Sequence, residues 1–466
     1  MFISRVFNKN IQHLVLTARM TSAMMQNPPQ DLKPPPRVQN MQKLNKSLFQ
    51  KHIQVPYLTV TPSNVSRIIK PIKKYLLKLE RFRPVREENN STIIILNPLK
   101  INTYQDIEEI DRKTLETSGV SPNDFSKKEI ELSFDNYSVE DIFRSVLPTD
   151  KEGMASFTKI GHIVHVNLRD HLLPFKELIG EVLLDKVAAS RTVVNKINII
   201  DNTYRNFKME VLAGEEDYMV TLKENRCVFE FDFATVYWNS RLCTEHERIV
   251  NIVKKDQVLF DVFAGVGPFS IPVSKNGGQV WANDLNPESF KWLQHNAKKN
   301  KIGDNLKMFN KDGKDFILED VKRELLNVLK EGKIVYVTMN LPALASEFLK
   351  YFQGLYDENE LNEVQNFNAP FIYLYCFAKG EETEEITRKL IDDCMNRDMS
   401  KFIKELFRVR TVSNFKEMMR VKIELGKEIL LGKYEETSAK RKGLQEEEDL
   451  TNKKFCKNGK EEEQCV

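Results

Sequence analysis

Four residues in one short stretch, Asp261, Gly265, Gly267 and Asp284, have the types and spacing of a nucleoside pocket. They fall within residues 258–286, VLFDVFAGVGPFSIPVSKNGGQVWANDLN, which read as a strand, a glycine turn, a helix and a second strand ending on an acid. Asp261 precedes the turn, the two glycines let backbone come close to a ligand, and Asp284 follows about 20 residues after the first of them, where a ribose-binding carboxylate belongs. The third glycine of a dinucleotide fingerprint is missing, because Pro268, Phe269 and Ser270 follow Gly267. Nothing there cradles a pyrophosphate. The pattern favours S-adenosylmethionine, which carries adenosine and a charged amino-acid tail but no phosphate, over NAD or FAD.

An open α/β sheet holds its ligands outside the carboxyl ends of its strands, so the later strand ends matter as well. They are Asp312 with Gly313, and Asn340 to Pro342 after the strand KIVYVTM. These ends are expected to converge on one crevice. Asp284 would accept the ribose hydroxyls, Leu285 would pack on the adenine, Asp312 would take its amino group beside a permissive Gly313, and Asn340 would offer an amide where the reacting methyl emerges. Taken singly, each has a plain structural alternative: Asp284 as a helix cap, DG as a turn, NLP as a strand end. Their ordered recurrence favours the shared crevice.

The elements that must position these residues are legible in outline. Residues 237–431 alternate strands and amphipathic helices, as a doubly wound sheet does. Asn286 caps a helix with Pro287 at its first position, and Phe290, Leu293 and Ala297 share one face. Ala345, Phe348, Leu349 and Phe352 give a second core stripe, and FIYLYCF a further strand. Near the end, Met419, Val421, Ile423 and Leu425 alternate with Arg420, Lys422 and Glu424, which describes a half-buried antiparallel strand with its charges outward. A parallel sheet finishing in such a hairpin is the Rossmann-type plan of class I methyltransferases. Five segments follow: 1–44, transit-like or unstructured; 45–150, a small accessory domain with a lysine-rich helix (SRIIKPIKKYLLKLERF) and a strand at 92–96; 151–235, a strand-rich α+β module; 236–432, the α/β domain; and 433–466, a Lys- and Glu-rich tail.

Composition narrows the class. A formal charge of +3 permits a nucleic-acid partner without requiring one. The six cysteines show neither CxxC spacing nor secreted-scaffold density, so reduced thiols, no metal and an intracellular setting are expected. No run is long enough for a transmembrane helix, and no membrane partner is expected. Residues 1–30 contain Arg5, Lys9 and Arg19 and no acid, as a mitochondrial transit segment does. Cytoplasm and mitochondrial matrix are the expected locations, with the nucleus as a further one, and a monomer is expected.

The blocks TKIGHIVHVNLRDHLLPFK, NTYRNFKMEVLAGE, VYWNSRLCTEHERI, DVFAGVGPFSIP, NDLNP and NLPALASEFL, spread over residues 158–349, resemble the eukaryotic and archaeal tRNA guanine-37 N1-methyltransferases. The first 150 residues and the tail carry little of this likeness. The resemblance implies methyl transfer from S-adenosylmethionine to N1 of the guanine beside the anticodon, with the strand-rich module as an RNA-binding domain. Neutral guanine carries a proton on N1, and its lone pair is tied up in the ring amide, so a base must act. On the family pattern Glu245 is that base, and Arg205 donates to O6, where charge gathers. His246 and Asn340 match cofactor-site positions, and Pro342 shapes the methyl-transfer pocket. The target base is stacked in an anticodon loop and must be extracted, with Lys and Arg holding the phosphates.

Thr244 and Glu247 also read as a T-x-x-E capping box, which would put Glu245 in a first helical turn for structural reasons alone. Asn340 departs from the NPPY box of enzymes acting on exocyclic amines, with Leu341 for a proline and Ala343 for an aromatic, which favours an endocyclic nitrogen. Three rivals remain: an aminocarboxypropyl transferase of wybutosine synthesis, a nonenzymatic RNA-binding protein that retains the fold, and a nicotinamide dehydrogenase.

Overall fold

The computed structural model describes residues 32–433, apart from 89, 155 and 198–207. The transit-like segment up to residue 31, the tail from 434 and the NTYRNF stretch with Arg205 lie outside the described residues. The chain divides into two compact units, one ending at Val220 and including Asp232–Ala234, the other formed by Thr221–Phe231 and everything from Thr235.

In the first unit, β1 (Lys51–Val60), β2 (Val85–Glu88), β3 (Ser91–Ile95) and β4 (Phe125–Leu132) form an antiparallel sheet in the order β2-β3-β1-β4. Helices α1 (Val65–Ile72) and α2 (Glu109–Thr117) cover one side through Ile68, Ile72 and Leu115. The lysine-rich stretch is helical only to Tyr75. Leu76 then turns extended and Leu77 donates to the Ile95 carbonyl, so the sheet claims the rest of that segment. Helix α3 (Val139–Val146) leads to β5 (Phe157–Ile160), β6 (Ile163–Val166), α4 (Lys176–Lys186), β7 (Thr192–Ile197) and β8 (Lys208–Gly214). The four strands order as β5-β6-β7-β8, with β6 and β7 parallel around the α4 crossover. Segments 45–150 and 151–220 share one core: Phe49, Leu132 and Phe143 pack in the same apolar cluster as Val164, Leu178 and Val193.

A hairpin of β9 (Met219–Glu224) and β10 (Cys227–Asp232) turns through Asn225 and Arg226, both left-handed, as a two-residue type I′ turn requires. Within the second unit Asn296 and Asn300 serve this hairpin as a neighbouring strand would. Asn300 Oδ1 accepts from Val228 N at 2.8 Å and its Nδ2 donates to Val228 O at 2.7 Å, while Asn296 Oδ1 accepts from Glu230 N at 2.8 Å.

The second unit is built on seven strands: β11 (Val258–Asp261), β12 (Gln279–Asn283), β13 (Leu306–Phe309), β14 (Val335–Met339), β15 (Phe371–Lys379), β16 (Ile403–Ser413) and β17 (Lys416–Glu424). Their order is β13-β12-β11-β14-β15-β17-β16, with the first five parallel and β17 antiparallel between β15 and β16. This is the expected Rossmann-type α/β architecture, with the sheet order reversing between β11 and β14. Helices α5 (Cys243–Ile252), α6 (Ser270–Lys275) and α7 (Pro287–Lys299) precede and follow β11 and β12. Asn286 caps α7 through a 3.0 Å bond from Glu288 N, with Pro287 at the first position, and Leu293 and Ala297 are buried.

The strand β17 departs from expectation. Residues 417–421 are all buried, so it is covered on both faces rather than one. Arg420 is not outward: it is only 1% exposed, because two carboxylates pair with it and the Phe407 ring lies 4.5 Å from its guanidinium centre. An alternating pattern cannot separate a solvated arginine from one paired inside the fold.

Candidate active site

The carboxyl ends of β11, β12 and β14 meet at the point where the strand order reverses, and each contributes a predicted residue. Asp261 closes β11 and is wholly buried. Its Oδ2 accepts from the Ser270 hydroxyl at 2.6 Å and its Oδ1 from the Thr338 hydroxyl at 2.8 Å. Burial pushes its carboxyl up to about 6, against the pull of those two hydroxyls, and nearby Asp284 pushes the same way. Both oxygens therefore serve the protein itself, tying the glycine turn to β14.

Gly265 and Gly267 both sit at positive φ, +56° and +96°, but they face different surroundings. A Cβ at Gly267 would stand 2.7 Å from Ile271 Cδ1 and Leu293 Cδ1, whereas one at Gly265 would meet nothing within 4 Å. Gly267 is thus a packing glycine and Gly265 borders open space. Asp284 follows β12 beside that space. Its Oδ2 accepts from Gly265 N at 2.8 Å and its Oδ1 from Asn286 N at 3.0 Å, and the Ser289 side chain bonds the carboxylate as well, which leaves acceptor capacity for a ligand hydroxyl. Burial raises its carboxyl above the ordinary range, and the two backbone donors and the Ser289 side chain pull the other way. Leu285 is 37% exposed, an apolar surface next to the acid.

Asn283, one residue earlier, had no reading from sequence, yet it is fully buried and joins three strand ends. Its Nδ2 donates to the Val262 and Lys311 carbonyls and its Oδ1 accepts from Lys311 N at 2.9 Å. Asp312 starts the short helix α8 (Gly313–Asp315), its Oδ1 capping Lys314 N at 2.8 Å. A Cβ on Gly313 would press on the Phe263 and Phe348 rings at 3.0 Å, so a side chain there requires those rings to shift.

Asn340 follows β14, one residue beyond the Met339↔Leu374 pair. Its Oδ1 is buried without a donor, an acceptor that a ligand N–H would satisfy. The turn after it is fixed by backbone: Phe377 N donates to the Pro342 carbonyl at 3.0 Å, and Leu344 N and Ala345 N both donate to Leu341 O at 2.8 Å.

Tyr375, the residue following Leu374 on β15, links this strand end to Glu245: its hydroxyl donates to Glu245 Oε2 at 3.3 Å. Burial, reinforced by the Glu245 carboxylate, raises the Tyr375 hydroxyl well above its usual range, so it remains a donor. Arg420 Nη1 donates to the same Oε2 at 2.7 Å, and Arg248 Nε to Oε1 at 3.3 Å. Burial alone would weaken the Arg420 cation, but the Glu245 and Glu405 carboxylates hold it above its ordinary value. Glu245 itself is 4% exposed. It lies in the first turn of α5 as expected, though not through a capping box: the helix starts at Cys243 and the position before it is Leu242, which makes no side-chain cap. Asn239 instead starts the preceding turn, its Oδ1 accepting from Arg241 N at 3.2 Å.

His246, the next residue, is buried with Nδ1 at 2.5 Å from Glu224 Oε1. It packs edge-to-face with Phe269, which lies near-parallel to Tyr375 at 6.2 Å. Glu245, His246, Phe269 and Tyr375 therefore form one continuous group at the sheet's crest. Among the described residues, no three His, Cys, Asp or Glu converge to hold a metal ion. Likewise, no described helix is long and apolar enough to cross a membrane. The residues fit S-adenosylmethionine: open space at Gly265, a carboxylate with free lone pairs at Asp284, an exposed leucine beside it and an orphaned amide oxygen at Asn340.

Known proteins with this arrangement follow from comparison. The family model described as the TRM5/TYW2 methyltransferase domain matches residues 220–361, and that described as the TYW2 N-terminal domain matches residues 139–217. The tRNA (guanine(37)-N(1))-methyltransferase of Drosophila melanogaster is 45% identical over 95% of this chain and 97% of its own length. That of Macaca mulatta is 43% identical over 85% of this chain and 78% of its own. The crystal structure of wild-type Trm5b from Pyrococcus abyssi shares the fold, with a TM-score of 0.55 at 20% identity over 79% of this chain and 98% of that one. With relatives this similar along nearly their whole length, the chain belongs to the tRNA (guanine(37)-N(1))-methyltransferase family.

Proposed function

We propose that this protein transfers the methyl group of S-adenosylmethionine to N1 of guanine 37, beside the anticodon of tRNA. The observation that carries the reading is the placement of Glu245: a buried carboxylate joined through Tyr375 to the strand end that presents Asn340. The names of the relatives, each a tRNA (guanine(37)-N(1))-methyltransferase, support the same reaction. When bound, S-adenosylmethionine supplies an electrophilic methyl carbon on a sulfonium.

The chain's own residues do the rest. Asp284 accepts the ribose hydroxyls, Leu285 covers the adenine face, and the Gly265 turn lets backbone approach. Asp312 and Gly313 bound the adenine edge. Asn340 Oδ1 takes an N–H donor at the crest, where a flipped purine must arrive. Glu245 accepts the N1 proton, and the developing charge on the guanine carbonyl is met by Arg205, whose role rests on the family pattern. His246, fixed by Glu224, and Phe269 wall the site against water. Lysines and arginines on both units hold the RNA phosphates, so affinity should weaken with salt. We also propose a monomer acting in the cytoplasm and the mitochondrial matrix, with the acid-free residues 1–30 as the address. Deleting them and imaging the tagged protein checks this: loss of the mitochondrial signal is the expected result.

The reaction is tested by incubating the protein with labelled S-adenosylmethionine and tRNA under single-turnover conditions. Glu245→Gln should slow transfer by about 100-fold or more, the size of a lost general base, with cofactor affinity retained. An unchanged rate removes Glu245 from that role. A product heavier by an aminocarboxypropyl group would favour the rival transferase.

A further inference from the structure

The donors around Glu245 are unevenly shared between its two oxygens. Oε2 accepts from Arg420 Nη1 at 2.7 Å and from Tyr375 at 3.3 Å. Among the described residues Oε1 accepts only from Arg248 Nε, at 3.3 Å, and the Arg248 side chain is 38% exposed. Arg420 is among the largest wholly buried side chains of the protein and reaches outward through Nη2, which donates to Glu405 Oε1 at 2.7 Å. Glu405 lies on β16 and is 43% exposed. One cation thus stands between an inner and an outer carboxylate, beneath the Phe407 ring.

A buried guanidinium with a single carboxylate partner would resist neutralisation of that partner, because proton transfer would strand an uncompensated charge. A second carboxylate changes this, since the cation stays paired when the first is protonated. We infer that Arg420 is a positioning residue that pins Glu245 Oε2 and leaves Oε1 to receive the guanine N1 proton, while Glu405 keeps Arg420 paired after the transfer. This rests on the reading of Glu245 as the base. In the step, the N1–H bond breaks and its electron pair stays on the ring as an O–H bond forms at Oε1. The ring nitrogen bonds the methyl carbon of the sulfonium donor, and the C–S pair leaves on sulfur. A carboxylate and a sulfonium become a carboxylic acid and a thioether, so charge balances. Among the described residues Arg248 is the one donor that must move off Oε1. It can, because its guanidinium already packs on the Phe407 ring at 4.9 Å and is partly in solvent.

The groups around Glu245 from each neighbouring element are Arg248 and His246 from α5, the latter paired with Glu224 from β9, Tyr375 from β15, Arg420 from β17 and, through Arg420, Glu405 from β16. Removing the Arg420 charge should therefore be read in the pH profile as well as in the rate. Full-length protein carrying Arg420→Met, Arg420→Lys or Glu405→Gln is compared with wild type for single-turnover transfer across pH, and for S-adenosylhomocysteine affinity by calorimetry. For Arg420→Met the expected result is a rate loss of about 30-fold or more with affinity within about threefold, and an acid limb moved to higher pH. Arg420→Lys should restore part of both. Glu405→Gln, a partly exposed change that preserves the fold, should slow transfer about 3- to 10-fold with the cofactor affinity unchanged. In a Glu245→Gln background, Arg420→Met should add less than about threefold, since the group it positions is gone. Wild-type rate and profile in Arg420→Met, or losses that simply multiply with Glu245→Gln, overturn the inference. If Arg420→Met does not fold, a wild-type rate in Glu405→Gln overturns it instead. A wild-type rate in Glu245→Gln alone is a separate failure, that of the base assignment.

Discussion

Gly265→Ala and Gly267→Ala should fail in opposite ways, because the same turn asks different things of its two glycines. Both backbones are left-handed, so an L side chain costs about 1–2 kcal/mol at either position. At Gly267 the new methyl group would also sit 2.7 Å from Ile271 and Leu293 carbons, an overpacking that typically adds about 1–3 kcal/mol. Gly267→Ala should therefore lose roughly 2–5 kcal/mol of stability and Gly265→Ala only about 1–2. Binding should show the reverse order. At Gly265 the methyl group enters the space next to Asp284 where the cofactor's nucleoside is to lie, and displacing the ligand by even about 1.4 kcal/mol costs tenfold in affinity. All three tryptophans, Trp238, Trp281 and Trp292, lie in the second unit, so intrinsic fluorescence during urea unfolding reports on this domain alone. Calorimetry with S-adenosylmethionine gives the affinity. The reasoning is refuted if Gly265→Ala binds the cofactor as wild type does, or if Gly267→Ala unfolds no earlier than Gly265→Ala.

The other expectations concern the two aspartates. Asp284→Ala removes an acceptor of charged hydrogen bonds, each contributing about 1.5–3 kcal/mol, so the cofactor Kd should rise about 10- to 100-fold. Saturating cofactor should bring the single-turnover rate back to within about threefold; a slow rate at normal affinity would mean the ribose lies elsewhere. Asp261 has a folded-state value near 6 against an ordinary 3.8, so its protonated form stabilises the fold fully below about pH 4. That contribution disappears as pH rises through about 6, with an upper size of about 3 kcal/mol. Asp261→Asn should accordingly gain on wild type between about pH 4.5 and 7.5 in urea midpoint. A wild-type-to-variant difference that stays constant over that range contradicts the assignment of burial as the cause.

Much of the crevice was legible in the residues because it is local. A glycine turn after a strand, an acid after the next strand, and Asn-Pro opening a helix each signal within a few positions, and the sheet places them side by side without further information. The network around Glu245 was not legible, because its partners come from residues 375, 405 and 420, over a hundred positions away. Arg420 was misread for a physical reason: in an alternating strand a charge normally faces water, and only long-range carboxylates make the interior acceptable. The supposed capping box at Thr244 failed similarly, since the preceding turn capped by Asn239 sets the helix start two residues earlier, at Cys243. Asn283 shows the same limit, its amide spent on carbonyls and an N–H from other strands.

The most direct test is to locate the methyl group. After reaction of the full-length protein with S-adenosylmethionine and an unmodified tRNA bearing guanine at position 37, nuclease digestion and mass spectrometry should find N1-methylguanosine at that nucleotide. Glu245→Gln should leave it largely unmodified. Methylation at another nucleotide, on an exocyclic group, or undiminished in Glu245→Gln would contradict the account of a base-assisted transfer to a ring nitrogen.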